Sequence, residues 1–320
     1  MIQRRQVPRF ALMLVMFLLS SMSGIAPFQI PSEWGGWVGC IDQHIARSLL
    51  PLQKSTAQQA SKVIVKTTID LGKSTSDVEL CPEGVSLAGN LILNWDEVSA
   101  IADKESCWAI YDDGSKPYKV SVMSKNTNIP ASLCAPLAGT GAPTMVLGGF
   151  TMHRIVGDGM NPMVDTSNKL ASVAASLFKG GVVLDTCMGL GYTCLAAAER
   201  VTGNGGRVIT VEYDEASLEM ASYNPWSKGL FDQSLPIEIM LGDSCEVVRE
   251  FKDSTFNAVI HDPPARALCR NDLYGLGFYR ELRRVLKPNG ILFHYIGKAD
   301  SRESGRLYKG IQERLQEAGM

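Results

Sequence analysis

The sequence predicts an α/β fold whose main body is a doubly wound, mostly parallel β-sheet, preceded by a small β-rich module. After residue 158, short apolar runs alternate with helical segments, which is the pattern of βαβ units covered on both faces. Between residues 78 and 157, turn residues instead separate runs of four to eight residues, as in a β-rich module. With 320 residues, 45% of them apolar, the chain is long enough to bury a core.

The first 77 residues have the composition of targeting segments. In 1–26, three arginines precede the apolar run FALMLVMFLL and small residues follow it, which is the pattern of a signal peptide. A signal anchor is the competing interpretation, but the run is short for a membrane span of about 20 residues. Segment 27–77 is transit-like or a linker, because no acidic residue occurs from 43 to 69. Together they resemble the two-part plastid address of algae with complex plastids. Secretion and signal anchoring are the alternatives, and we expect no stable membrane association after signal removal.

Charge and cysteine content narrow the classes of partner. The net charge of −2 gives no reason to expect a large electrostatic attraction to nucleic acid or anionic lipid. The eight cysteines are scattered, with no C-x-x-C and no histidine at ligand spacing. We therefore expect mostly buried thiols and no metal site.

The stretch VVLDTCMGLGYTCLAAAERV, residues 182–201, predicts a strand, a tight turn and a helix. Asp185 ends the strand, and Gly189 and Gly191 let the chain turn back. A P-loop would place a lysine after its glycines, and a dinucleotide site would have a third glycine where Cys194 stands. An acid at this position would repel a pyrophosphate and attract a cationic group. The turn therefore suits a ligand with an ammonium or a sulfonium.

Three further acids follow the next three predicted strands. Glu212 ends VITVE, Asp243 follows IEIML, and Asp262 follows NAVIH. Taken singly, each is as often a helix cap or a turn residue. In a doubly wound sheet, however, the carboxyl ends of the strands face one crevice, so we expect all four acids to lie there together. A carboxylate such as Glu212 can accept hydrogen bonds from both ribose hydroxyls.

These motifs resemble the S-adenosylmethionine-dependent methyltransferases of the Rossmann-like class, over about residues 165–320. LDTCMGLGYT, TVEYD, LGDS and LKPNGILFHY look like successive motifs of that class. NPWS, IHDPP, LFHYIG and FTMHRI are more closely similar to a group of predicted archaeal methyltransferases with a DPP motif. The resemblance implies a Rossmann-like methyltransferase domain at 158–320 and S-adenosyl-L-methionine as its cofactor.

The resemblance also implies roles for the residues at the strand ends. Asp185, Gly189 and Gly191 would cradle the methionine part of the cofactor. Glu212 would hold the ribose, and Asp243 the adenine amine.

The DPP motif would orient the acceptor. Asp262, Pro263 and Pro264 resemble the motif with which methylases of planar amino groups hold the attacking amine, through the acid and a proline carbonyl. The sequence departs from that motif at Ala265, where an aromatic ring usually stacks on a base, and this argues against a nucleobase acceptor. Four further residues are candidates to line the acceptor pocket: Arg266, Tyr274, Tyr279 and His294.

Two other residue types carry weaker signals. His153 and His261 each lie in or beside a strand, where a lone histidine is more often structural than catalytic. His261 precedes Asp262 directly, but neighbours on a strand point to opposite faces. Trp226 either covers the adenine or packs its helix onto the sheet.

Three functions are compatible with these features. The first is methyl transfer to an amino nitrogen of an acceptor, which is a small molecule, an RNA or a protein. The second is aminopropyl transfer from decarboxylated S-adenosylmethionine, as in polyamine synthases. The third is a non-catalytic binding or scaffold role. The methyltransferase class usually adds two strands after the final helix of this sequence, so the domain is expected to lack its last strands.

Overall fold

The structure is a computed structural model that describes residues 28, 36–58, 63–87, 91–137, 139–157, 159–265, 268, 271–297 and 302–320. The signal-like segment 1–26 and Arg266 lie outside the described residues. Within them, an N-terminal module of antiparallel sheets precedes a domain built on one parallel sheet.

The N-terminal module contains three small antiparallel sheets. Its elements are β1 (Trp37–Asp42), α1 (Gln43–Leu49), α2 (Gln53–Gln58), β2 (Val63–Thr67), β3 (Ser76–Cys81), β4 (Gly84–Ser86), β5 (Ile92–Asn94), α3 (Trp95–Ala102), β6 (Cys107–Tyr111), β7 (Tyr118–Lys119), β8 (Ser121–Met123), β9 (Pro130–Cys134), β10 (Thr144–Leu147) and β11 (Phe150–Thr151). The sheets have the strand orders β1-β6-β7, β2-β3-β4-β5 and β11-β10-β9-β8. The predicted β-rich module is therefore present.

The module begins upstream of the expected boundary at residue 78. Strand β1 pairs along its length with β6, and β2 pairs with β3, so both belong to the folded module although they lie in 27–77. Asp42 caps α1 by accepting the backbone N–H groups of His44 and Ile45. The lack of acidic residues from 43 to 69 suggested a transit segment. Composition alone cannot reveal a helix cap or a strand pairing, so these folded elements were not predicted.

The second domain is the predicted doubly wound sheet. Its elements are α4 (Pro162–Ala171), β12 (Val182–Asp185), α5 (Tyr192–Val201), β13 (Arg207–Glu212), α6 (Glu215–Ser222), β14 (Ile237–Leu241), α7 (Ser244–Val247), β15 (Phe256–His261), α8 (Leu276–Val285), β16 (Leu286–His294) and α9 (Arg302–Glu317). The strand order is β14-β13-β12-β15-β16, and all four pairings are parallel. The predicted fold class is confirmed. The order reverses between β12 and β15, where such sheets open a crevice for ligands.

The module packs directly against the second domain. The indole Nε1 of Trp37 donates a hydrogen bond to the carbonyl of Ser222 at 3.0 Å. The indole Nε1 of Trp226 donates to the carbonyl of Leu71, also at 3.0 Å. Trp226 therefore joins its segment to the module, a contact that differs from both roles that the sequence left open.

Strand β16 is one of the two edges of the described part of the parallel sheet, and β14 is the other. Helix α9 follows β16 and packs beside α8, where Arg280 pairs with Glu317. The expectation that further strands are missing stays a prediction. None of the helices in the described part of the chain is both long and apolar enough to cross a bilayer.

Candidate active site

A cleft of about 1150 Å³ opens at the carboxyl ends of the parallel strands. One half is lined by the turn after β12, the ends of β13 and β14, and the start of α7. The other half is lined by the DPP segment after β15, by α4, and by β10 and β11 of the N-terminal module. The volume exceeds the roughly 300–1,000 Å³ typical of a single small-molecule pocket. The cleft therefore has room for a cofactor and a second small molecule.

Glycine is required for different reasons at the two glycine positions of the turn. Gly191 has φ +77° and precedes the first residue of α5, and a Cβ there would lie 2.5 Å from Leu230 Cδ1. Gly189 has φ +54°, and a Cβ there would meet nothing within 4 Å. Gly191 is thus required by packing and backbone conformation together. Gly189 leaves open space on the side of the turn that lines the cleft.

Glu212 is tied to this turn and faces the cleft. Its Oε2 accepts the N–H of Gly189 at 2.8 Å, and its Oε1 accepts the N–H of Asp214 at 2.9 Å. Burial raises the pKa of Glu212 to about 7, although the backbone N–H groups oppose the rise. A carboxylate has about four acceptor positions, so Glu212 keeps the capacity to bind ribose hydroxyls.

Asp185 differs from its expected role. It is fully buried and does not line the cleft. It pairs in register with Thr210 of β13, whose hydroxyl donates to Asp185 Oδ2 at 2.8 Å. The side chain is therefore held against the neighbouring strand beneath the turn rather than directed into the cleft. Burial raises the pKa of Asp185 to about 7.

Asp243 combines the two roles that the sequence weighed against each other. Its side chain accepts the N–H of Cys245 at 2.9 Å and so caps α7. It also lines the cleft, on the same side as Glu212.

Asp262 forms a buried ion pair that the sequence did not predict. Its Oδ2 lies 2.6 Å from Nζ of Lys169, which also lies 2.8 Å from Oδ2 of Asp165. The side chains of Lys169 and Asp262 are only 8% and 17% exposed. Burial lowers the pKa of Lys169, but the two carboxylates outweigh it and raise the pKa above its usual value. Burial also raises the pKa of Asp262, and Lys169 opposes that rise.

Only a weak signal in the sequence could have indicated Lys169. Asp165 and Lys169 are four residues apart on α4, a spacing that usually marks an exposed surface pair. Their burial follows from the packing of α4 over the strand ends, which depends on contacts distant in sequence. We refer below to Asp165, Lys169 and Asp262 as the ion triad.

The remaining candidates for the acceptor pocket divide into two groups. Tyr274 lines the cleft, and its hydroxyl donates to the carbonyl of Pro264 at 3.3 Å. Tyr279 is fully buried, and its hydroxyl lies 2.9 Å from Nε2 of His294. Neither Tyr279 nor His294 lines the cleft, so the structure corrects both expectations. The hydrophobic spacing of α8 places Tyr279 on its buried face.

The two histidines in or beside strands are uncharged, and each forms hydrogen bonds to uncharged groups. Nε2 of His261 lies 3.0 Å from the carbonyl of Leu273, so it donates, and Nδ1 accepts from the Thr186 hydroxyl at 2.7 Å. Burial keeps the pKa of His261 well below its usual value. His153 lies 3.0 Å from the Thr144 hydroxyl and lines the cleft, and burial lowers its pKa to about 3. His261 has the structural environment that the sequence favoured.

The donor set fits S-adenosylmethionine better than a metal ion. The turn at Gly189 is open toward the cleft, and Glu212 stands beside it as a hydrogen-bond acceptor. Met188 and Leu190 add apolar groups to the cleft wall beside the turn. Among the described residues, no group of three or more His, Cys, Asp or Glu side chains is arranged to hold a metal.

Residues 183–290 match the family model described as a methyltransferase domain. The match covers β12 to the start of β16 and includes the turn, Glu212, Asp243 and the DPP segment. The expected resemblance to S-adenosylmethionine-dependent methyltransferases is confirmed for this part of the chain.

Several known proteins are similar over part of their length. An uncharacterized protein of Methanocaldococcus jannaschii is 46% identical over 178 residues, which are 55% of this chain and 58% of that protein. Polyamine aminopropyltransferase 2 of Streptomyces coelicolor is 30% identical over 131 residues, 39% of this chain and 23% of that protein. The crystal structure of spermidine synthase from Thermotoga maritima is 18% identical with a TM-score of 0.47, covering 62% of this chain and 64% of that one. The chain thus spans about half of the first curated relative and a quarter of the second.

Proposed function

We propose that the protein is an S-adenosylmethionine-dependent methyltransferase that acts on an amino nitrogen. One observation carries the proposal. The open turn at Gly189, the carboxylate of Glu212 and the DPP segment line one cleft inside the segment that matches a methyltransferase domain. Glu212 would hold the ribose and Asp243 the adenine amine. Asp185 would hold the strand end that precedes the turn, through its hydrogen bond with Thr210.

S-adenosylmethionine supplies an activated methyl group whose transfer to a neutral amine leaves a neutral thioether and a proton on the new ammonium. The protein's own residues orient the amine. Asp262 would accept one N–H bond from it, and the carbonyl of Pro263 a second. The carbonyl of Pro264 already accepts the Tyr274 hydroxyl. Lys169 favours the ionised form of Asp262, which is the form that accepts a hydrogen bond from the amine and can take up its proton.

Calorimetric titration of the protein with S-adenosylmethionine and with its demethylated product tests the cofactor. Glu212→Ala should weaken binding by about 10- to 100-fold, because hydrogen bonds to a charged group contribute about 1.5–3 kcal/mol each. Glu215→Ala is the matched control, since Glu215 is an exposed acid three residues further on. Thermal unfolding without ligand shows whether each variant is folded. Equal affinities of the two variants would contradict the assignment.

A second candidate is aminopropyl transfer from decarboxylated S-adenosylmethionine. The 30% identity with the Streptomyces aminopropyltransferase over 131 residues favours it. Titration with the decarboxylated cofactor separates the two. Tighter binding of the decarboxylated form, with transfer to putrescine or spermidine, would support the second candidate. A folded protein that binds these cofactors without transferring either group would support a scaffold role.

We also propose a plastid location, reached through a signal-plus-transit address and without stable membrane association after signal removal. The support is compositional, and the signal-like segment lies outside the described residues. Because the backbone N–H of Phe28 already bonds to the Ile239 carbonyl of β14 at 2.9 Å, the address should end before Phe28. A fluorescent fusion to residues 1–27 should reach the plastid. Retention in the secretory pathway or at its membranes would favour the alternatives. The acceptor remains to be found among small molecules, RNA and protein.

A further inference from the structure

The acceptor half of the cleft is distinguished by an apolar wall from the N-terminal module. Met145 and Leu147 of β10 and Phe150 of β11 line it. Ile296, after β16, and Leu307 of α9 line it from the other end of the chain. None of these five residues lies within 183–290. The wall therefore lies outside the segment that matches the methyltransferase domain.

The ion triad is the charged feature of this half. Asp165 and Asp262 carry two negative charges, and Lys169 carries one positive charge between them. His153 faces the same space and is neutral, because burial lowers its pKa to about 3. Arg154 also lines the cleft, but its side chain is exposed to solvent. The enclosed part of the acceptor half therefore carries one net negative charge next to an apolar wall.

The single negative charge of this half favours an amine with one ammonium group over an amine with several. Burying a charge is unfavourable unless an opposite charge compensates it, so one enclosed negative charge matches one ammonium. A polyamine would bring two or more further ammonium groups against apolar residues such as Leu147 and Phe150. Resting on the methyltransferase proposal, we infer that the acceptor is a small monoamine with an apolar body, whose nitrogen lies at Asp262 and whose body lies on the module's wall.

This binding mode is consistent with the reaction. The amine enters as an ammonium and releases its proton before it attacks. The methyl carbon then bonds to nitrogen as its bond to sulfur breaks. The sulfur keeps the electron pair, and the methylated nitrogen releases a second proton. The carboxylate of Asp262 would accept the first proton and pass it to solvent through the open cleft, and it could then accept the second.

The test uses the full chain saturated with S-adenosylhomocysteine, titrated with apolar monoamines from butylamine to 4-phenylbutylamine and tryptamine. The control ligand is 4-phenylbutanol, which has the same body without the charge, and the competitor is spermidine. We expect 4-phenylbutylamine or tryptamine to bind at least tenfold more tightly than both. Asp262→Asn should remove that preference for the amine and leave the alcohol unchanged.

A second pair of variants tests the wall. Phe150 is 52% exposed, so Phe150→Ser should fold and should weaken 4-phenylbutylamine more than butylamine. Ile64→Ser is the matched control, because Ile64 is 68% exposed on a different sheet. Circular dichroism and S-adenosylhomocysteine affinity report whether each variant is intact.

The outcomes separate the two proposals. If S-adenosylhomocysteine does not bind, the proposed function fails, and this inference fails with it. If S-adenosylhomocysteine binds but no apolar amine does, this inference alone is overturned. Tighter binding of spermidine would overturn it as well. So would methyl transfer from labelled S-adenosylmethionine to RNA or protein but to none of the monoamines.

Discussion

Asp185 should make the stability of the protein decrease as the pH rises. Burial raises its pKa from the ordinary 3.8 to about 7 in the folded state. Between these values the folded protein keeps a proton that the unfolded chain has released. The stabilisation is therefore complete below pH 4 and is lost progressively as the pH rises through 7. Asp185→Asn removes the titration while keeping an acceptor for the Thr210 hydroxyl.

The size of the effect follows from the shift. At about 1.36 kcal/mol per pKa unit, titration of Asp185 lowers the free energy of unfolding by about 2–3 kcal/mol between pH 5 and pH 8. Glu212, with its pKa raised to about 7 by burial, adds a similar decrease. In Asp185→Asn, the decrease in unfolding free energy that Asp185 and Glu212 together produce between pH 5 and pH 8 should therefore be at least halved. The decrease should be more than halved if removing the Asp185 charge also lowers the pKa of Glu212.

Urea unfolding followed by tryptophan fluorescence at pH 5, 6, 7 and 8 measures this dependence. Thr210→Val is the opposing variant: it removes the hydroxyl donor at 2.8 Å that favours the charged carboxylate. Relative to the wild type, Thr210→Val should lower the stability further as the pH rises, whereas Asp185→Asn should lessen the loss, and this comparison cancels the opposite contribution of the neutral histidines such as His153. Parallel curves for the wild type and Asp185→Asn would refute the assignment of a raised pKa to this buried carboxyl.

Two more substitutions test the site. Gly191→Ala should cost about 2–4 kcal/mol of unfolding free energy, because it adds left-handed backbone strain to a clash with Leu230. Gly189→Ala should cost only about 1–2 kcal/mol by the same urea assay, since no atom opposes its Cβ; equal losses would contradict the distinction. Lys169→Met should cost about 3–5 kcal/mol at pH 8, because it leaves buried carboxylates unpaired. The loss should shrink at pH 5, where Asp262 can take up a proton, and a loss independent of pH would argue against an ion pair.

The parallel sheet could be predicted because each of its signals is local. Five apolar runs separated by helices give the βαβ pattern directly, and all five strands were found. The acids at the strand ends were also local signals, and three of the four line the cleft. Asp185 was misplaced because its direction depends on the pairing of β12 with β13, where Thr210 lies opposite.

The parts that sequence could not predict depend on contacts between distant segments. Lys169 meets Asp262 across 93 positions of the chain, and no spacing rule connects a helix residue to the end of a strand that follows three βα units later. Tyr279 and His294 were candidates for the acceptor pocket. The packing of α8 against β16 instead turns them toward each other.

The cleft therefore combines a cofactor half and an acceptor half of different origin. The turn at Gly189, Glu212 and Asp243 all lie within the segment that matches methyltransferase domains. Lys169 and the wall residues such as Leu147 lie outside that segment. Likeness to methyltransferases can thus support the cofactor and, through the DPP segment, the position of the acceptor's amine, but it says nothing about the acceptor's body, because the wall residues that would contact that body lie outside the matched segment. The acceptor has to be sought through the module's wall and the ion triad.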